Sequence, residues 1–187
     1  MRRLFYLVIV ISFFLLFMPG KSYCSPADSK LVELDYLTHA HFKDRYIDTT
    51  SLHILENISE KNNWSIYRGI TITRPNGYII NDNQQTKDSS AVGIGPVYMI
   101  RNEKNLSGKL STALDISGGF IVYDKKFPAG GEYYNFMWRI GPQLIYKAGE
   151  NSSVNIGYML MHVSNGLRTH NPSYNAHGFS LGFVTKF

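Results

Sequence analysis

The stretch that decides the fold is residues 154–187, VNIGYMLMHVSNGLRTHNPSYNAHGFSLGFVTKF. Two parts of it, 154–160 and 179–187, alternate between apolar residues and small or polar residues. In an extended strand, successive side chains point to opposite faces, so each part has one mainly apolar face and one mainly small or polar face. A polar, turn-forming segment separates the two parts. The stretch therefore predicts two adjacent antiparallel strands at the end of the chain.

The same alternation recurs upstream, cleanly over 110–122 and 136–146 and less cleanly in four earlier segments, 31–37, 52–58, 64–74 and 91–100. Alternation with a period of two over about ten residues is typical of strands in membrane barrels. The sequence thus predicts an all-β fold, an eight-stranded antiparallel transmembrane β-barrel of the outer-membrane type. The tripeptide Ile-Gly-Pro occurs at 94–96 and 140–142 and predicts bulges in two strands.

The predicted connections alternate in length, which gives the barrel its orientation. Long connections, 38–51, 75–90, 124–133 and 165–175, alternate with shorter ones, 59–63, 101–108 and 147–152. Outer-membrane barrels have long external loops and short periplasmic turns. The alternative is a water-soluble, lipocalin-like barrel with its aromatic residues inside. The small and polar residues on the other face favour a narrow, packed lumen instead, in which Asp115 and Arg139 are predicted to form a polar network.

The N-terminus is predicted to be a secretory signal peptide. Arg2 and Arg3 precede an apolar run over 4–18, which is short for a membrane-spanning helix. Cleavage after Cys24 would divide the chain into a signal peptide, 1–24, and a barrel domain, 25–187.

Cleavage would also change what the composition implies. It would remove the single cysteine, so that no disulfide framework is expected. Loss of Arg2, Arg3 and Lys21 would lower the formal net charge from +5 to +2. The basic character of the full chain therefore does not indicate nucleic-acid binding.

A candidate active site lies where the strand over 154–164 ends. His162 and Ser164 are at even-numbered positions, like the apolar residues of 154–160, and therefore have the same parity and point to the same face. They are predicted to face lipid at the outer end of the barrel. The same parity across the turn places Asn175 beside them on the next strand. A serine nucleophile needs a histidine base, a group that orients the histidine, and donors for the oxyanion. Asn165 or backbone amides near Gly166 could be those donors, so the pattern indicates acyl transfer on a membrane lipid.

The segment HVSNGLRTHNPSYN at 162–175, followed by an alternating strand to Phe187, resembles the C-terminal signature of the PagL family, the outer-membrane lipid A 3-O-deacylases. The resemblance implies an outer-membrane esterase that hydrolyses the acyl chain at position 3 of lipid A. Its partners would be lipopolysaccharide and outer-membrane lipids, and it would need no metal or organic cofactor. At the matching positions, the resemblance implies His162 as general base, Ser164 as nucleophile and Asn165 as oxyanion donor.

The chain departs from the family pattern at Asn175, where an acidic residue is expected. An asparagine oxygen can accept the histidine N–H and hold the ring, but it cannot stabilise an imidazolium by charge, so slower turnover is expected. Glu132 is the alternative acid, because it has the apolar parity of the neighbouring strand.

Other polar residues give weaker patterns. His39 and His41 have same-face spacing but no obvious further ligand, so no metal site is predicted. Lys125, Lys126 and Arg168 lie in predicted external loops, where they could meet lipid A phosphates.

Two other functions stay open at this point. One is a non-catalytic small barrel, an adhesin or an envelope-stabilising protein. The other is an esterase acting on another membrane lipid. The sequence also leaves open which acyl ester is cut, whether the enzyme is latent in its own membrane and whether it forms a homodimer.

Overall fold

The computed structural model describes residues 29–40, 44–81, 83–166 and 171–186, so the predicted signal peptide lies outside the described residues. Nine strands occur in this part of the chain: β1 (Ser29–His39), β2 (Arg45–Lys61), β3 (Trp64–Ile80), β4 (Thr86–Asp88), β5 (Gly93–Ser107), β6 (Leu110–Phe127), β7 (Glu132–Lys147), β8 (Ser152–Ser164) and β9 (Tyr174–Lys186). No helix in these ranges is long and apolar enough to cross a membrane.

Eight of these strands form a closed antiparallel ring. Each pairs with its neighbours along the ring, and β1 closes it by pairing with β9, from Ser29 opposite Lys186 to His39 opposite Ala176. The short β4 pairs with the outer end of β3 and extends that hairpin beyond the ring. The predicted all-β, eight-stranded antiparallel barrel is confirmed.

The strands are longer than the sequence pattern predicted. β2 begins at Arg45 rather than near residue 52, and β6 continues to Phe127. The backbone ladder continues past the apolar band, because N–H and C=O groups still need partners where side chains no longer alternate. The predicted external loops are correspondingly shorter.

The predicted bulges at the two Ile-Gly-Pro tripeptides are wrong. The register of β5 on β6 is the same on both sides of Pro96, with Ile94 opposite Val122 and Val97 opposite Gly119. Proline removes one donor from the ladder, but the other edge of the strand still pairs. Register shifts occur instead near two short turns, between Asn57 and Ser59 and between Asn105 and Ser107, and at the outer end of β6, between Val122 and Phe127.

Charged side chains fill the middle of the lumen. The Arg139 guanidinium lies 3.1 Å from Glu33 and also contacts Asp35, and all three side chains are fully buried. Nearer the short turns, Arg101 makes two bonds to Asp115, of 2.8 and 2.7 Å. Asp115 and Arg139 thus both lie in the lumen with polar partners, as predicted, but in two separate ion-pair groups.

Packed aromatic rings fill the outer part of the lumen and support the start of β9. The ring of Phe127 packs edge-on against that of Tyr174, with centroids 5.6 Å apart. The Tyr174 hydroxyl lies 3.2 Å from Thr49 Oγ1, and Asn135 donates a 2.8 Å bond to the carbonyl of Phe127. Tyr174 is thereby fixed inside the barrel, and the next residue, Asn175, is held on the outside.

Candidate active site

The exposure pattern of β8 shows which way the candidate residues point. Ile156 and Leu160 are 52% and 51% exposed, whereas Met159 between them is fully buried in the lumen. His162 and Ser164 continue the outward parity and are half-buried on the outer surface. Both side chains therefore lie on the outside of the barrel, at the end away from the chain termini.

A hydrogen bond joins His162 to the neighbouring strand. His162 is directly opposite Asn175 in the β8–β9 register, and its Nδ1 lies 2.6 Å from Asn175 Oδ1. Because the amide oxygen is an acceptor, this bond places the imidazole hydrogen on Nδ1 and leaves Nε2 able to accept a proton. On the other side, the Trp138 ring lies against His162 with centroids 5.7 Å apart.

Ser164 lies on the same outer face, two residues beyond His162 and opposite Phe136 on β7. No hydrogen bond joins Ser164 to His162 within the described ranges. Catalytic hydrogen bonds are often long or poorly aligned without substrate and tighten when it binds. The strand thus places the Ser164 hydroxyl and the His162 imidazole on one face, two residues apart, without a direct hydrogen bond between them.

The turn after Ser164 is braced by a residue that the sequence analysis missed. The Asn165 N–H donates to Asn171 Oδ1 at 3.1 Å, and Asn171 Nδ2 donates to the Gly166 carbonyl at 2.9 Å. Asn165 is buried, whereas Ser164 and Gly166 are half-buried at the surface. The Asn171-Pro172 pair could have indicated this role, since asparagine before proline favours a turn.

The family model described as PagL, lipid A 3-O-deacylase, matches residues 55–184. The chain belongs to the PagL family. It is therefore an ester hydrolase, and it is an outer-membrane β-barrel, as predicted. Its fold resembles the crystal structure of the outer membrane enzyme PagL, with a TM-score of 0.59 and 16% identity over 84% of this chain and 99% of that one. No curated protein sequence matches the chain.

In this PagL-family barrel, the alternative acid is far from the histidine. Glu132 precedes Trp138, the strand partner of His162, by six residues on β7, which is about 20 Å of extended strand. The group that bonds His162 is Asn175.

An apolar depression lies on the lipid-facing surface of the PagL-family barrel, on the membrane side of the candidate site. Its lining residues come from four adjacent strands: Thr112, Pro142, Gln143, Leu144, Ile156, Gly157, Tyr158 and Phe179. Between this depression and the His162–Asn175 pair, the Tyr158 hydroxyl bonds His177 Nδ1.

Lys126, one of the cations that the sequence predicts to meet lipid A phosphates, is exposed on the outer part of β6. Two other predicted residues, Lys125 and His39, have partners of their own. Lys125 pairs with Asp88 at 3.3 Å, and His39 Nδ1 lies 2.8 Å from Asp48. His41 and Arg168 fall in the undescribed ranges.

Within the described residues, Glu33, Asp35 and His53 have ligand atoms within 4.8 Å of one another, in the lumen. The Arg139 guanidinium already lies against both carboxylates. This group is therefore an internal ion-pair network in which a cation side chain takes the central position.

Proposed function

We propose that this PagL-family enzyme removes the acyl chain ester-linked at position 3 of lipid A by a serine–histidine mechanism. Ser164 would be the nucleophile, His162 the general base and Asn175 the group that orients the base. The observation that carries the proposal is the 2.6 Å bond between Asn175 Oδ1 and His162 Nδ1, on the face that also carries Ser164. That face meets the outer leaflet, where the ester bonds of lipid A lie.

In the first step, Ser164 Oγ attacks the ester carbonyl carbon, and its proton passes to His162 Nε2. Collapse of the tetrahedral intermediate breaks the bond between the carbonyl carbon and the sugar oxygen. The same proton passes from Nε2 to that oxygen, so the 3-hydroxyl leaves neutral. Water then attacks the acyl-serine, again with His162 as base, which releases the fatty acid and restores Ser164.

The oxyanion of each tetrahedral intermediate would lie at the turn after Ser164. Asn165 and the backbone N–H of Gly166 are the donors that we assign to it, and the two bonds of Asn171 hold this turn in shape. The half-buried Gly166 backbone is nearer the outer surface than the buried Asn165. We therefore expect the Gly166 amide to be the more direct donor.

Asn175 can supply only part of what an acidic residue supplies. Its oxygen fixes the tautomer and the ring orientation of His162, but it carries no charge to stabilise the imidazolium formed in each step. The proposal therefore includes a low turnover rate, with the Trp138 ring helping to hold the imidazole in place.

The experiment compares purified wild-type barrel with Ser164→Ala and with Ser152→Ala. Ser152 is the control because it lies on the same face of β8 at the opposite end of the strand. Mass spectrometry of lipid A should show loss of the 3-linked acyl chain with wild type and Ser152→Ala and an intact chain with Ser164→Ala. All three proteins should keep the heat-modifiable gel migration of a folded barrel.

Deacylation by folded Ser164→Ala would refute the assignment of the nucleophile. A phospholipid presented in parallel tests the substrate, because an enzyme that cut it in preference to lipid A would have the proposed chemistry on another lipid. Glu132→Gln should leave the rate unchanged, whereas Asn175→Leu should lower it about tenfold or more by releasing the imidazole. The opposite pattern would move the orienting role to Glu132.

A further inference from the structure

A cavity opens at the outer mouth of the barrel, beside the active-site turn. Its volume is about 620 Å³. Its lining combines charged, amide and apolar groups, from Asp44, Arg45, Ile79, Ile80, Asn81, Gln84, Lys87, Ala129, Gly130 and Pro172. Cationic and amide side chains are groups with which proteins bind anionic ligands that carry hydroxyl groups.

The cavity carries a net positive charge from Arg45 and Lys87, against the single carboxylate of Asp44. Arg45 is half-buried, and no carboxylate of the described residues forms a salt bridge with it. Its burial lowers the pKa of its guanidinium, because part of its hydration is lost. One of its donors bonds the Ser173 carbonyl. A guanidinium has five N–H donors, so this bond leaves capacity for an anion.

The cavity and the active site share a wall formed by residues 171–173, just before β9. Pro172 lines the cavity, and the preceding residue, Asn171, bonds Asn165 and Gly166 beside Ser164. Arg45 holds the next residue, Ser173, from the cavity side. A lipid whose ester lies at Ser164 therefore has its saccharide headgroup at the same rim as the cavity.

We propose that this cavity is a headgroup subsite that binds a phosphomonoester on the saccharide of the lipid substrate, with Arg45 and Lys87 as the cationic donors. The inference rests on the proposed function, because it takes the lipid cut at Ser164 as the ligand. Arginine suits this role, since its planar fork binds two phosphate oxygens at once. Asp44 opposes the anion and weakens the subsite.

The test measures binding in the Ser164→Ala background, so that the lipid stays intact. Dissociation constants are compared for bisphosphorylated and dephosphorylated lipid A in zwitterionic micelles at one ionic strength. The added variants are Arg45→Gln, which keeps a donor for Ser173, Lys87→Gln and Asp44→Asn. Lys147→Gln is the matched control, because it removes one cation at the other mouth of the barrel.

Arg45→Gln and Lys87→Gln should each weaken binding of the phosphorylated lipid, by about tenfold for Arg45, and leave the dephosphorylated lipid unaffected. Asp44→Asn should tighten binding of the phosphorylated lipid. Inorganic phosphate should compete with the phosphorylated lipid alone. In enzyme with Ser164 intact, Arg45→Gln should raise KM and leave kcat unchanged.

If Arg45→Gln weakened binding of both lipids equally, the proposal would be overturned, because Arg45 would then act only by holding Ser173. An equal loss in Lys147→Gln would overturn it as a general charge effect. Phosphate that binds without displacing the lipid would make the cavity a site for the free anion instead. If the lipid bound in a phosphate-dependent way but the enzyme with Ser164 intact cut no ester, the headgroup subsite would be supported and the proposed function refuted. The failure of one proposal can therefore be told from the failure of the other.

Discussion

Replacing Asn175 by aspartate should make the enzyme faster. The side chains are nearly identical in shape, so the bond to His162 Nδ1, 2.6 Å long with asparagine, should persist with a charged acceptor. A carboxylate and an imidazolium about 4 Å apart attract by about 4 kcal/mol at an effective dielectric constant near 20. Both side chains are half-buried and water screens them, so we expect about 1.5–3 kcal/mol, or a 10- to 100-fold increase in kcat.

The increase should appear in kcat, because the imidazolium exists in the transition states and not in the resting enzyme. The assay is the initial rate of fatty-acid release from lipid A micelles, at substrate concentrations that separate kcat from KM. Ser164→Ala combined with Asn175→Asp should be inactive, which shows that the added rate passes through the serine. An Asn175→Asp enzyme no faster than wild type, beside an Asn175→Leu enzyme that keeps its full rate, would refute the role given to this position.

Two further predictions concern the turn and the lumen. Gly166→Ala should lower kcat about tenfold or more without unfolding the barrel, because Gly166 has a φ of 81° and a Cβ there would lie 3.3 Å from the Phe136 ring. Gly108→Ala, at another positive φ but in open space, should keep full activity, and equal losses in the two would contradict this account. Arg139→Met should lower the free energy of unfolding in urea by about 3–5 kcal/mol, because it leaves two buried carboxylates without their cation. Lys125→Met, which breaks an exposed pair with Asp88 beyond the apolar band of the barrel, should cost less than about 1 kcal/mol, and a similar cost for both would refute the argument.

The ring of strands could be predicted because lipid outside and a packed lumen inside impose a period of two on each strand. Segments such as 110–122 have that period clearly, whereas the strand itself runs on to Phe127, past the end of the alternation. The ends of the strands could not be predicted in this way. Beyond the apolar band, both faces of β2 near Arg45 are polar or mixed, while the backbone still pairs. Backbone pairing therefore continues into segments whose side chains no longer alternate between apolar and polar.

The candidate site was also predictable only in part. Parity alone places His162, Ser164 and Asn175 on one face, because a strand register fixes faces. It does not fix distance along the barrel, so it could not separate Asn175 from Glu132, which has the same parity but lies too far along β7. The brace formed by Asn171 also escaped prediction, because its bonds to Asn165 and Gly166 depend on how the turn folds back.

The placement of the site on the outside follows from what fills the inside. The lumen is occupied by the Arg139 network at its centre and by Phe127 and Tyr174 at its outer mouth, so a lipid ester has no route to chemistry performed there. The same packing fixes the start of β9 and with it Asn175. The packed interior thus makes the barrel rigid, and its outer face presents the His162 imidazole already hydrogen-bonded to Asn175. For an enzyme whose substrate stays in the bilayer, this arrangement avoids the cost of extracting the lipid, and only the headgroup must then find polar partners at the rim.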